Sequence, residues 1–186
     1  MWWRKKKSGP KNRGLIRHFI KSKDGVTAIE FALVGAPFLY LLCVIFETGL
    51  MLFSEYIIEN GVSQASRMIR TGQVQINGIT SAQFKDKICG KLAAYLDCKN
   101  KLHVDVRKFS DFSSIALPSA YNGKELSADV TTAAKFQPGV ALDVVVVRVY
   151  YEWQLFVPGL SQLANLSGGR RSLTAGAAFR NEPYTT

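Results

Sequence analysis

The segment DGVTAIEF, residues 24–31, marks the point where this 186-residue chain changes character. The apolar run that follows, FALVGAPFLYLLCVIF (residues 31–46), contains no charged side chain. Spanning the hydrocarbon of a bilayer takes about 20 mostly apolar residues. The run and its continuation to Phe53 meet that length, although Glu47 interrupts them. We therefore predict a membrane-spanning helix over about residues 31–53.

The helix that contains this span is predicted to begin at Val26 and to run to residue 72, which places Glu30 just inside its start. A carboxylate at the edge of the hydrocarbon is costly unless a positive group pairs with it. One explanation is a capping box, in which Thr27 is the N-cap and Glu30 satisfies a free backbone N–H. That explanation does not account for Gly25, for the abrupt end of the basic stretch, or for the aromatic Phe31 beside the carboxylate. A pairing role for Glu30 therefore stays open beside the capping role.

The first 25 residues carry nine Lys and Arg side chains and a single acid, Asp24. Such a stretch, with Trp2 and Trp3, could bind nucleic acid through charge and base stacking. Directly before a spanning helix, positive charge instead holds that end of the chain in the cytoplasm. A secretory signal peptide shares the basic-then-apolar order, but no small-x-small cleavage site follows the run. We predict a cytoplasmic leader over residues 1–25 and no nucleic-acid partner.

The helix is predicted to continue beyond the membrane as far as Gly72, a plausible stop. Its second half carries apolar residues at spacings of four, three and four, which form one stripe that would pack on a domain. These residues are Ile58, Val62, Ala65 and Ile69. A second helix is predicted from Thr80 or Ser81 to near Asp97, because Thr80 and Gln83 match a capping box. Its predicted buried face is Phe84, Ile88, Leu92 and Tyr95.

Two cysteines, Cys89 and Cys98, follow the span, on the oxidising side if the N-terminus is inside. On a straight helix they would lie ~13 Å apart, whereas a disulfide needs Cα atoms within ~7 Å. If they bond, the chain must leave the helix before Cys98 and fold back. Zinc binding is disfavoured, because there is no C-x-x-C pair and His103 is the only nearby additional ligand. Cys43, inside the apolar run, is predicted to be inert.

The rest of the chain is predicted to form strands joined by loops. Apolar and polar residues alternate over residues 102–107, which predicts a half-buried strand. The segment LDVVVVRVYY, residues 142–151, predicts a central strand covered on both faces at its four valines. Residues 109–139 are predicted to form a long loop that could include a short strand. Residues 172–179 are predicted to form a last strand of small residues, and the end of the chain is predicted to be frayed. The predicted fold is α+β: a long helix, then an extracytoplasmic domain over residues 73–186 with a second helix and a three- or four-stranded antiparallel sheet.

No catalytic motif is present. The chain has two histidines and lacks a G-x-S-x-G elbow, a phosphate-binding glycine loop and H-E-x-x-H. Nothing in the spacing of Asp105, Asp111 and Glu152 requires them to form an acid–base pair. We expect no enzyme, no catalytic residue, no metal and no cofactor.

Gly25, four further residues, Glu30 and Phe31 before an apolar helix are similar to the G-x-x-x-x-E-[FY] processing site of prepilins. GVTAIEFALV (residues 25–34), followed by Pro37, resembles more closely the TadE-like pseudopilins of tight-adherence (Flp-type) pilus systems.

Two later features are also similar to the "E…A-x-R" stretch of that family. They are Glu47 and SQASR, residues 63–67. The close resemblance covers roughly residues 15–72, and the C-terminal half matches only in its pattern of helix and strands.

This resemblance implies that a prepilin peptidase cuts between Gly25 and Val26. Cutting would remove the basic leader, expose an ammonium on Val26 and make Glu30 the fifth residue of the mature chain. In a pilus-like bundle, a neighbour's ammonium could then pair with Glu30 in a low dielectric.

The implied role is a minor pseudopilin that primes, caps or regulates pilus polymerisation. Its implied partners are the peptidase, other pilins and pseudopilins, the assembly platform and membrane lipid. Its implied location is the bacterial inner membrane, with a cytoplasmic N-terminus and a periplasmic C-terminal domain. The alternative is an uncleaved single-pass protein whose extracytoplasmic domain binds a partner; the two differ in whether residues 1–25 are lost.

Overall fold

The computed structural model describes residues 25–132, 134–157 and 159–184. The predicted leader, apart from Gly25, lies outside these residues. The chain divides into two compact units, Met1–Leu42 and Cys43–Thr186. Helix α1, Val26–Arg70, contributes residues to both units.

Helix α1 is the single long helix that the sequence predicts, with 45 residues. It begins at Val26, and its first turn is closed by the hydrogen bond from Ile29 N to Gly25 O. Thr27 therefore lies inside the first turn, so the capping explanation considered for Thr27 and Glu30 does not apply. After the helix, Gly72 adopts the left-handed conformation (φ 77°) that glycine favours at helix ends, and this confirms the predicted stop.

Within the described residues, the domain contains three short α-helices and five strands. The helices are α2 (Gln73–Ile76), α3 (Ser81–Cys89) and α4 (Cys98–Lys101). The strands are β1 (Leu102–Phe109), β2 (Tyr121–Asn122), β3 (Glu125–Leu126), β4 (Val144–Gln154) and β5 (Arg170–Arg180). Strands β1, β4 and β5 form an antiparallel sheet in the order β1-β4-β5, and β2 pairs with β3 in a separate hairpin. The predicted α+β fold class is confirmed.

One hydrophobic core joins α1, α3 and one face of the three-stranded sheet. The predicted stripe of α1 is buried, as are Phe84 and Ile88 of α3. The opposite face is covered by the segment between β1 and β4: Arg148 donates to Pro118 O, and Tyr121 packs edge-on against Tyr150. The four valines, residues 144–147, are accordingly buried, as predicted.

Helix α3 starts with the predicted capping box, in which Thr80 and Gln83 bond each other's backbone N–H groups. It ends at Cys89, so the predicted end near Asp97 is wrong. The Cys89–Cys98 disulfide forms, with Cα atoms 5.7 Å apart, and the chain reverses between them. A helix that continued to Asp97 would hold these two cysteines too far apart to bond.

The C-terminal segment after β5 is held in place, and the predicted fraying is wrong for residues 181–184. Asn181 is buried, and its side-chain amide donates to the carbonyl oxygens of Pro138 and Val140. Glu182 N donates to Arg70 O at the end of α1. These polar residues find backbone partners inside the domain, which the polar composition of the segment does not reveal.

Candidate functional site

The motif residues lie directly before α1, at Gly25, and on the first two turns of the helix, and they are exposed. Val26 is 46% exposed and Phe31 78% exposed, and Glu30 and Gly25 are exposed as well. The side chain of Glu30 makes no hydrogen bond or ion pair with any other residue that the structure describes. The first turns of α1 thus present a carboxylate and an aromatic ring to whatever surrounds the helix.

The N-terminal part of α1 is an apolar surface that the residues described by the structure leave uncovered. Many of its large side chains are more than half exposed, among them Ile29, Phe31, Leu33, Val34, Phe38, Leu39 and Leu41. The helix is long and apolar enough to cross a membrane, and its most apolar stretch is unburied. An exposed apolar surface of this extent indicates contact with lipid or with other proteins.

Glu47 is a buried carboxylate, 7% exposed. It connects α1 to the segment directly after β4. Its Oε1 accepts from Phe156 N at 2.6 Å, and its Oε2 accepts from Val157 N at 2.7 Å. Hydrogen bonds from backbone N–H groups to an ionised carboxylate are stronger than those between neutral groups. From the sequence, Glu47 was predicted only to interrupt the span, and this role was missed.

A signal for Glu47 does exist in the sequence. Glu47, Met51, Ser54 and Ile58 follow one another at spacings of four, three and four. They therefore extend the buried stripe of α1 by three turns toward the N-terminus, and all four are buried. A charged residue on a buried stripe requires hydrogen-bond partners from the domain.

An apolar pocket of about 600 Å³ lies beside Glu47 and is lined in part by Tyr151 and Trp153. Several apolar side chains around it are more than half exposed. These are Phe46, Leu50, Tyr95 and Phe156. Phe53, which lies on α1 like Phe46 and Leu50, is also more than half exposed. We call these five residues the apolar collar.

Asp105 is fully buried between the sheet and the segment that covers it. Burial by itself would raise the pKa of this carboxyl group. Hydrogen bonds from Arg107, from Lys135 N and from Arg148 outweigh burial and hold the pKa below its usual value. The carboxylate thus joins β1, β4 and the covering segment.

The other acids considered in the sequence are also held in structural contacts. Glu152 accepts from Arg170 and lies 3.0 Å from His103 Nε2. Asp111 caps the short turn at Phe112–Ser114. Within the ranges that the structure describes, no group of His, Cys, Asp or Glu could hold a metal ion.

The fold and the exposed helix together define a class of protein: a small disulfide-bonded α+β domain with one apolar helix, consistent with a single-pass membrane anchor. Within that class, the family model described as TadE-like protein matches residues 25–67. This match confirms the resemblance, and it indicates a protein associated with Tad pili that carries an N-terminal membrane helix. No curated protein and no solved structure matches the chain.

Proposed function

We propose that the chain is a minor pseudopilin of a tight-adherence pilus assembly system, cut by prepilin peptidase after Gly25 and assembled through its N-terminal helix. One coincidence carries this proposal. The family match begins at Gly25, and α1 begins at Val26. A cut between them would leave a mature chain whose first residue is also the first residue of the helix.

The burial of Glu47 changes the expected end of the membrane span. Glu47 and Ser54 are buried against the domain, which favours a span that ends near Phe46 and not at Phe53. Residues 26–46 still provide the ~20 residues that a bilayer requires. The apolar collar would then lie at the membrane surface, where aromatic side chains are favoured.

The disulfide supports the proposed orientation. Disulfides persist in oxidising compartments, and the Cys89–Cys98 bond therefore favours a domain outside the cytoplasm. The basic leader would stay inside under the positive-inside rule. We propose a non-enzymatic role for the domain, because the acids that a catalytic reading would use are committed to structural contacts.

The test compares two glycines of α1. A Cβ built on Gly25 or on Gly49 meets no atom within 4 Å, so either can be changed to Leu without a clash at that atom. In cells with the peptidase, we expect wild type and Gly49→Leu to yield mature chains that begin at Val26. Gly25→Leu should keep its leader, because a side chain at this position obstructs entry of the backbone into the peptidase site.

Intact mass and N-terminal sequencing of membrane extracts give the readout. A wild-type chain that keeps residues 1–25 would exclude the processed pseudopilin and favour the uncleaved anchored domain. Cleavage of Gly25→Leu at the wild-type rate would exclude Gly25 as the recognised residue.

A further inference from the structure

Strand β5 forms one edge of the three-stranded sheet. In an antiparallel ladder, residues that bond to the neighbouring strand alternate with residues whose backbone groups point away. Asn181 N donates to Asp143 O, and Leu155 N donates to Gly169 O. These two bonds fix the alternation, so the odd-numbered residues of β5 bond to β4 and the even-numbered residues point outward.

Among the described residues, the outward-pointing backbone groups of β5 have hydrogen-bond partners only at the start of the strand. Arg170 O accepts from Leu166 N, and Ser172 N donates to Asn165 Oδ1. In the parts of the chain that the structure describes, the outward backbone groups of Thr174, Gly176 and Ala178 have no partner. A strand edge of this kind is a template for another strand unless Pro, Lys or a bulge protects it. None of these interrupts residues 174–178.

A groove of about 480 Å³ lies between this edge and α1, with Ala177 and Ala178 on one side and Ser66 on the other. Ser66 is 3% exposed, and its hydroxyl has no hydrogen-bond partner among the described residues. An unpaired buried hydroxyl costs free energy that a bound partner could recover. The two alanines leave room for a further backbone to approach the edge.

The charges around the groove are positive. Arg67 lines it, is exposed and has no carboxylate partner in the described chain, and Arg70 lines it beside Arg67. Arg70 pairs with Glu182, and Arg180 at the end of β5 lies over the ring of Phe112. A second copy of β5 would bring more positive charge to this edge. An occupant with carboxylates would complement it.

We propose that the β5 edge and its groove bind an extended acidic segment of a partner protein, which adds a fourth strand beside β5. The main-chain groups of Thr174, Gly176 and Ala178 would bond to the added strand. Its inward side chains would occupy the groove, where Ser66 and Arg67 can bond a carboxylate. This surface goes beyond the proposed function and does not depend on cleavage after Gly25.

The test uses the full chain in detergent micelles and a fluorescent peptide of alternating Glu and Val. A peptide of the same length with Lys in place of Glu is the charge control. We expect saturable binding of the Glu peptide, read by fluorescence anisotropy, and no binding of the Lys peptide. Hydrogen exchange should slow at the amides of Thr174, Gly176 and Ala178 and stay unchanged at Ala175 and Ala177.

Two variants examine the backbone and the charge separately. Ala178→Pro removes an outward N–H and no bond to β4, and Arg67→Glu reverses the charge without altering the backbone. Arg67→Glu should weaken binding of the Glu peptide by about tenfold or more, as expected for the loss of a hydrogen bond to a charged group. Ala178→Pro removes a hydrogen bond between neutral groups and should weaken binding by about two- to tenfold. Lys87→Glu changes an exposed cation of α3 and should leave the affinity unchanged.

Three results would overturn the proposal: no binding of the Glu peptide, equal binding of both peptides, or unchanged binding by Arg67→Glu. If the full chain instead forms a dimer that Ala178→Pro abolishes, the edge belongs to a second copy and not to an acidic partner.

Discussion

At the scale of single residues, Glu47 shows how one carboxylate connects the helix to the domain. Its two oxygens accept from the consecutive backbone N–H groups of Phe156 and Val157. Those donors follow the last residue of β4 and would otherwise be left without acceptors near the helix. A buried carboxylate also costs desolvation free energy, which these charge-assisted bonds offset.

Substituting Glu47→Gln should lower the free energy of unfolding of the domain by about 1–3 kcal/mol. Gln keeps one acceptor oxygen, but its amide nitrogen would face a second N–H donor. The measurement is urea denaturation of the full chain in detergent micelles, followed by tryptophan fluorescence, with Glu59→Gln as the control. Glu59 is exposed on the same helix, so its substitution should change stability little. Equal stability of the two variants would show that the Glu47 contacts contribute nothing.

Residue roles were predictable where they follow from local spacing. The Thr80–Gln83 capping box forms as its spacing predicts. The Cys89–Cys98 disulfide also forms, and the chain leaves the helix between the two cysteines, as the sequence required if they were to bond. Glu47 and Asp105 were not predictable, because several of their partners are backbone N–H groups far along the chain. A backbone donor has no side-chain signature, so only the position of Glu47 on the buried stripe hinted at its role.

At the scale of elements, hydrophobic periodicity correctly predicted the elements whose residue pattern is set by burial in the core. It gave α1 and the three main strands to within a few residues, since burial on one face or on both sets their patterns. It failed at the end of α3, because Leu92 and Tyr95 continue the helical spacing while the disulfide reverses the chain. A covalent constraint overrode the periodicity there.

Removing that constraint tests its contribution. The variant with both Cys89→Ser and Cys98→Ser should lose about 2–3 kcal/mol of unfolding free energy, the value expected for closing so short a loop. Leu96, which is buried within the loop, should also become more accessible. Cys43→Ser is the control, because Cys43 is an exposed free thiol. Denaturation with and without reductant gives the readout: reductant should destabilise Cys43→Ser and leave the double variant unaffected.

At the scale of the whole molecule, the two parts of α1 differ in what covers their apolar side chains. The part after Glu47 buries its stripe within the domain, whereas the part before it exposes apolar side chains and the carboxylate of Glu30. None of the residues that the structure describes covers that first part, so lipid or another protein is expected to cover it. Because α1 begins at Val26, Glu30 is not explained by a cap at Thr27, and a charge-pairing role becomes the stronger hypothesis for it.

The decisive substitution for assembly is therefore Glu30→Gln, which keeps the shape of the side chain and one acceptor oxygen and removes its charge. An ammonium on Val26 of a neighbouring subunit would then lose its partner in a low dielectric, where an unpaired charge costs several kcal/mol. We expect normal cleavage after Gly25 and about tenfold fewer pili, or none, when sheared pili are quantified beside the mature N-terminus. Glu59→Gln removes an exposed charge from the same helix and should assemble normally. If Glu30→Gln assembles as well as Glu59→Gln, the charge of Glu30 has no role in assembly, and the apolar surface of α1 alone must bring the subunits together.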